Sequence, residues 1–347
     1  MKKFFLILVI SCTVSTLSAQ YNGKTPFLTK PLTSEAVKVV EVETSGGNIS
    51  VASVVAGQER VEVYILPGNR SEWGSVTKEA IQKTLDEYYD FKLDVAGNKL
   101  TATAKSKSRE WNSKNSLSIS FKVFVAKDVS THLSTSGGNI AITAITGEQK
   151  FTTSGGNLVI DNVKGKMKGT TSGGNIKVKD ADNDIDLTTS GGNIDANNCT
   201  GTIRLSTSGG SLDLVNLNGN IDATTSGGNV EGSGIRGDLE AYTSGGNIEL
   251  TGLACNLNTS TSGGNIIVAI SEAAKSIKIK NSGGKVELQL PAGKGYDLDL
   301  NADKIKTNNL NNFSGKAGDD EINGTINGGG TKVNVNASSG KLVLTFK

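Results

Sequence analysis

Few side chains in this 347-residue sequence have the type and spacing that chemistry requires. There is one histidine, His132, so no multi-histidine metal site can be assembled. A Ser-His-Asp arrangement would have to use His132, while the abundant serines fall at a fixed place in a turn motif. The densest acidic stretch, Asp180-Ala181-Asp182-Asn183-Asp184-Ile185-Asp186, begins like a calcium loop. Its sixth position is Ile185 where glycine is needed, and its twelfth is Gly191 where glutamate is needed. Paired carboxylates are the next thing to test, because glycoside hydrolysis needs two of them. Read at intervals of 18 residues, one position runs Ala141, Val159, Lys177, Asp195, Asp213, Glu231, Glu249, Ile267. If successive copies stack at roughly 4.8 Å, Asp195, Asp213, Glu231 and Glu249 form an acidic strip. Such a strip either binds divalent cations or a basic partner, or splays into water where salt screens its repulsion. A second position, Lys150, Lys168, Asp186, Arg204, Asp222, Glu240, Asn258, mixes signs in the manner of an ordinary solvated face. The aromatic residues Trp73, Trp111, Tyr88 and Tyr89 lie ahead of these positions. They either close the end of a core or offer amphipathic rings to a ligand. The expectation is a chain with no catalytic set and no cofactor.

These positions line up because Thr-Ser-Gly-Gly-Asn-Ile recurs with a fixed period. Gly-Gly pairs begin at Gly137, Gly155, Gly173, Gly191, Gly209, Gly227, Gly245 and Gly263. A ninth, looser copy spans Asn281 to Val286, and an outlying one spans Thr44 to Ile49. Unbroken self-similarity of this length marks a solenoid whose repeats stack on their neighbours. After the motif asparagine, apolar residues alternate with period two, as at Ile176 and Val178, and a second alternating stretch follows, as in Ile185-Asp186-Leu187. Between them sits an inward small or apolar residue: Val163, Ala181, Cys199, Leu217, Ile235 or Leu253. Each 18-mer reads as strand, bend, strand, tight turn. The fold class is therefore all-β, a parallel β-helix or solenoid, right-handed by the preference of parallel crossovers. Gly-Gly suits the corner through its access to positive φ. The asparagines form a side-chain amide ladder that Ser211 interrupts. The column Thr135, Thr153, Thr171, Thr189, Thr207, Thr225, Thr243, Thr261 is unbroken, and alternation leaves its direction open.

Four segments follow. Residues 1–19 read as a secretory signal peptide, with Lys2-Lys3, a short apolar run and Leu17-Ser18-Ala19 before Gln20. The alternative is a lipoprotein anchored at Cys12. Residues 20–130 form an N-terminal cap holding an irregular first coil at Thr44–Ile49 and Val61-Glu62-Val63, and a helix over Glu79 to Tyr89 capped by Ser75 or Thr77. A hairpin at Val95 to Leu100 and a strand over Ser116 to Ala126 complete it. Residues 131–290 are the regular solenoid, and 291–347 hold degenerate coils that close the other end. Export removes two of 36 basic residues and leaves 34 against 34 acidic ones, a balance that argues against a nucleic-acid partner. No later run is long and apolar enough for a transmembrane helix. Cys199 and Cys255, 56 residues apart, stack about 14 Å from each other at 4.8 Å per coil, too far for a disulfide.

The Thr-Ser-Gly-Gly-Asn-Ile ladder, the Phe121 to Asp128 strand, and the closing Ile326-Asn327-Gly328-Gly329-Gly330 and Ser338-Ser339-Gly340 resemble a bacterial exported β-strand-repeat family. It is labelled "putative adhesin", a domain of unknown function. The resemblance covers roughly residues 38–345. It implies an exported solenoid, with no catalytic residues to carry over. The reading is a non-catalytic exported surface protein whose partner is a protein or polysaccharide at the cell surface. A carbohydrate-active β-helix enzyme is the first alternative. An ice- or mineral-binding face, which needs the Thr column to point outward, is the second.

Overall fold

The structure is a computed structural model describing residues 23–32, 36–68, 76–107, 115–272, 274–308 and 310–347. The N-terminal leader, Cys12, Ser75, Trp73 and Trp111 lie outside the described residues. The described chain is all-β apart from one helix and builds a β-solenoid-like stack.

Successive repeats pair in parallel, residue i with residue i+18. Gln149–Thr153 pairs with Met167–Thr171, which pairs with Asp182–Thr189, and Leu158–Asp161 pairs with Ile176–Lys179. Apolar residues, mostly Ile, Leu and Val with Phe151 and Met167 among them, recur on one side of the stacked strands, so stacking buries them as continuous columns. The bend residues Val163, Ala181, Cys199, Leu217, Ile235 and Leu253 are fully buried between the strand columns. Just before each of them the backbone enters the left-handed region, at Asn162, Asp180, Asn198, Asn216, Gly234 and Gly252. Asn, Asp and Gly are the residue types that tolerate it.

The Gly-Gly corner works by another means than the one expected. Neither glycine of the eight regular pairs has positive φ. The second glycine is required because coils touch there: a Cβ on Gly156, Gly174 or Gly192 would lie well inside 3.0 Å of the carbonyl oxygen of the equivalent glycine one coil below. The asparagine ladder also differs. The Asn139 Oδ1 accepts from the Asn157 backbone N–H at 2.8 Å, so each rung joins side chain to main chain. Ser211 does not interrupt it, because its hydroxyl accepts from the Asn229 N–H at 3.1 Å.

The Thr column points inward. Thr189 is 1% exposed, its hydroxyl donates to the Gly174 carbonyl at 2.8 Å and accepts from the Gly192 N–H at 3.2 Å. The same pair of bonds recurs at Thr153, Thr171, Thr207 and Thr225. That column cannot serve as an ice- or mineral-binding face.

Both ends depart from sequence order. Val39–Thr44 pairs in parallel with Ser130–Thr135 on one side and Lys99–Ser106 on the other. Ile49–Ser53 lies likewise between Ile140–Thr143 and Leu117–Val125. The outlying motif copy is thus inserted between later strands, and its second glycine, Gly47, has a positive φ that the regular pairs lack. Val61-Glu62-Val63 is not a coil strand, since Arg60–Pro67 runs antiparallel to Leu117–Val125; alternation reveals a strand but not its direction. Tyr89–Ala96 also pairs antiparallel, with Lys99–Ser106. The helix Lys78–Tyr88 is capped by Thr77, whose hydroxyl accepts from the Ala80 N–H at 3.3 Å, and it buries Ile81 and Leu85. At the other end Thr331–Phe346 inserts between the Ser276–Asn281 and Val286–Leu290 strands and the outlying Tyr296–Thr307. Glu321–Ile326 and Phe313–Ala317 finish that end antiparallel. Antiparallel strands end the parallel stack at both extremities, where an open edge would template further pairing.

Candidate functional site

Register places the acidic strip as a contiguous column. Lys177 pairs with Asp195, Asp195 with Asp213, Asp213 with Glu231, Glu231 with Glu249 and Glu249 with Ile267. Asp195 is half-buried and the other three carboxylates are exposed. Among the described residues no three His, Cys, Asp or Glu side chains are grouped to hold a metal ion. Calorimetric titration of Asp213→Asn/Glu231→Gln with calcium is therefore expected to give the same heats as the unaltered protein. A calcium signal lost in that variant would show that the strip closes around a cation.

The Asp180–Asp186 stretch is occupied with structural contacts. Asp180 accepts from the Asn198 amide at 3.1 Å, and that bond holds its carboxyl below the ordinary range. Asp182 pairs with Lys164 at 3.0 Å and Asp186 with Lys168 at 3.6 Å, in neighbouring coils. Arg204 and Asp222 continue the mixed-sign face at 3.7 Å. These pairs are well exposed and contribute little each. His132 is exposed, in register between Glu41 and Lys150.

The aromatic candidates separate. Tyr89 is buried, and its hydroxyl oxygen accepts from the Leu117 N–H at 2.6 Å, so it ties Tyr89–Ala96 to Leu117–Val125 and is not open to a ligand. Tyr88 is half-buried against the same core, and a hydrogen bond to Glu87 raises its phenol above the usual range.

Cys199 and Cys255 are buried and unpaired. Burial pushes the Cys199 thiol up and the Cys255 thiol up to about 12, with Asp238 adding to the latter. The neutral thiol is the favoured form in the folded state. That stabilisation is present in full below about 9, where an unfolded chain begins to ionise, and is lost as pH climbs towards about 12. Both thiols are expected to resist an aromatic disulfide reagent at pH 8 in the native protein and to react fully in denaturant. Fast native reaction would contradict their burial.

A basic group escaped the sequence reading. Lys304 pairs directly with Lys341, and Lys306 lies two residues further along the same strand. Val286 pairs with Leu342 and Gly340 packs on Gly284, which puts Lys285 beside Lys341 on the other side. A signal existed: Lys285 and Lys341 stand where the regular coils place asparagine, after Ser-Gly-Gly and Ser-Gly. Charge is also banded along the chain. From Asp182 to Glu272 eleven carboxylates outnumber two arginines, whereas from Lys275 to Lys347 eleven lysines outnumber seven carboxylates.

Residues 179–345 match the family model described as Toastrack DUF4097. The Toastrack match takes in just under half the chain, including all four carboxylates of the strip and all four of these lysines. It supports a repetitive β-solenoid-like domain of unknown function. No curated protein matches the chain. A crystal structure described as that of a "putative cell adhesion protein" from Clostridium sporogenes aligns over 92% of this chain and 98% of that one, at 10% identity and a TM-score of 0.18. At that score the alignment carries no argument about this protein.

Proposed function

We propose that this chain is an exported, non-catalytic β-solenoid that binds a protein or polysaccharide at the cell envelope, in the manner of an adhesin. The right-handed winding of 18-residue coils and the division into leader, N-terminal cap, regular body and C-terminal cap belong to the same reading. One observation carries it. The repeated polar residues that could have formed a reactive array are spent on holding coils together: the Thr hydroxyls and Asn side chains bond to the main chain of neighbouring turns. What the repeats leave to solvent is ordered columns of charge on extended strand faces. A solenoid offers such a surface to large partners.

Incubating the purified mature protein with isolated envelope polysaccharide tests this reading. The expected result is retention of protein on the polymer with no release of reducing or unsaturated sugar ends. Steady product release would turn the reading towards a carbohydrate-active enzyme. Absence of retention on any envelope fraction would remove the binding role.

A further inference from the structure

The lysine group at the C-terminal end is, like the acidic strip, a run of one charge on adjacent strands, but of the opposite sign. On the mixed-sign face Lys168 meets Asp186 and Arg204 meets Asp222 in the adjoining coil, while Lys150 stands beside Lys168. Here Lys285, Lys341 and Lys304 succeed one another on three adjacent strands at roughly 4.8 Å per strand. Lys306 stands beside them. Lys285 has an ion partner in Glu287. Among the described residues, no ion pair includes Lys304, Lys306 or Lys341. The exposed Asp303 precedes Lys304 and is likewise without an ion pair. Like charges placed directly opposite across strands destabilise a sheet. The repulsion is felt at Lys341, whose ammonium is pushed below the usual lysine range chiefly by the charge of Lys306, then by burial, with Lys285 and Lys304 adding to it.

We infer that Lys304, Lys306 and Lys341, with Lys285 at their edge, form a binding site for an anionic polymer carrying repeated oxyanion groups. The inference rests on the envelope-binding reading and supplies its ligand class. Ammonium groups are compact point charges without the planar fork of arginine, so they select charge density more than the shape of one oxyanion. Sulfate and phosphate esters meet that requirement alike. Place decides between a polymer and the acidic strip of a second copy. Lys285 sits at the corner immediately after the glycine turn, Lys341 lies beside it within the strand Thr331–Phe346, and Lys304 and Lys306 lie on the outlying strand. A flexible chain can follow that corner, whereas the strip from Asp195 to Glu249 is fixed along consecutive strands of a strand face.

Fluorescence anisotropy with labelled dextran sulfate, labelled polyphosphate and neutral dextran of matched length tests the site. The full mature protein is compared with Lys304→Gln/Lys306→Gln/Lys341→Gln and with the strip variant Asp213→Asn/Glu231→Gln. The unaltered protein is expected to bind one or both anionic polymers, to ignore neutral dextran and to weaken with added salt. The arm that binds identifies sulfate or phosphate as the preferred group. The triple variant should lose about tenfold or more in affinity, and the strip variant should not. Its thermal midpoint should equal or exceed that of the unaltered protein, because like charge is removed. If the midpoint instead falls, the single variant Lys306→Gln is read in its place and must weaken binding. Unchanged affinity in the triple variant, or no binding of either polyanion by the unaltered protein, overturns the site. A low-salt dimer in sedimentation that the triple variant abolishes overturns it in favour of a second copy. Retention on envelope polysaccharide by both proteins alike would leave the general binding role standing while this site falls.

Discussion

Gly174→Ala is expected to cost about 3 kcal/mol or more of stability, while Gly173→Ala, one residue earlier, changes it by less than about 0.5 kcal/mol. The two glycines look equivalent in the motif and have different surroundings. A methyl on Gly173 meets only the Ser154 carbonyl oxygen, at 3.9 Å. A methyl on Gly174 collides with the Gly156 carbonyl and comes within 2.9 Å of the Asn157 nitrogen, and both are backbone atoms that no rotamer change can move. Relief requires coils to separate at the corner. Separation would stretch the bond from Thr171 to the Gly156 carbonyl and that from the Asn175 N–H to the Asn157 side chain, each now 2.8 Å. Neither glycine has positive φ, so backbone strain does not blur the comparison. In a solenoid a lost interface is felt by the coils on both sides. Urea midpoints, with amide exchange of the neighbouring coils as a local readout, measure the difference. Equal effects at the two positions would mean that close coil contact is not why the second glycine is there.

That asymmetry marks a boundary of what sequence can tell. The spacing of Gly-Gly pairs was enough to place Ile140, Leu158 and Ile176 in one parallel column, because stacking identical segments leaves a single register that buries them. The inward bend residues were equally legible, since only small or apolar side chains occupy that position. Three things were hidden. Alternation does not carry phase through a turn, so the direction of the Thr column could not be read. It does not carry strand direction either, which is why Val61 to Val63 passed for a coil strand. Insertion of Val39–Ser53 and Thr331–Phe346 between coils that are distant in sequence left no periodic trace, because each end uses one copy out of order. The lysine column depends on that second insertion. Lys341 meets Lys304 only because the last strand returns inside Tyr296–Thr307.

Thr189→Val should cost about 2 kcal/mol or more, against a near-neutral Thr188→Val. Valine matches threonine in shape, so the buried change is the loss of one hydroxyl. That hydroxyl accepts from the Gly192 N–H at 3.2 Å and donates to the Gly174 carbonyl at 2.8 Å. Its removal leaves a donor and an acceptor of the main chain at the corner without this partner, each carrying a desolvation cost of about 1–3 kcal/mol. Thr189→Ser keeps both bonds and gives up one methyl, worth about 0.8 kcal/mol, so the order of stability should run Thr, then Ser, then Val. Thr188 is on the opposite side of the same strand and half-exposed, paired with Thr170 and Ser206 in the adjoining coils. Valine there exchanges one solvated β-branched side chain for another. The comparison therefore reads the direction of each column directly from stability. If Thr188→Val proved the more damaging, the hydroxyls of the motif threonines would face water. The corner would then have to be held by its glycines and asparagines alone, and an outward Thr column would return as a candidate binding face.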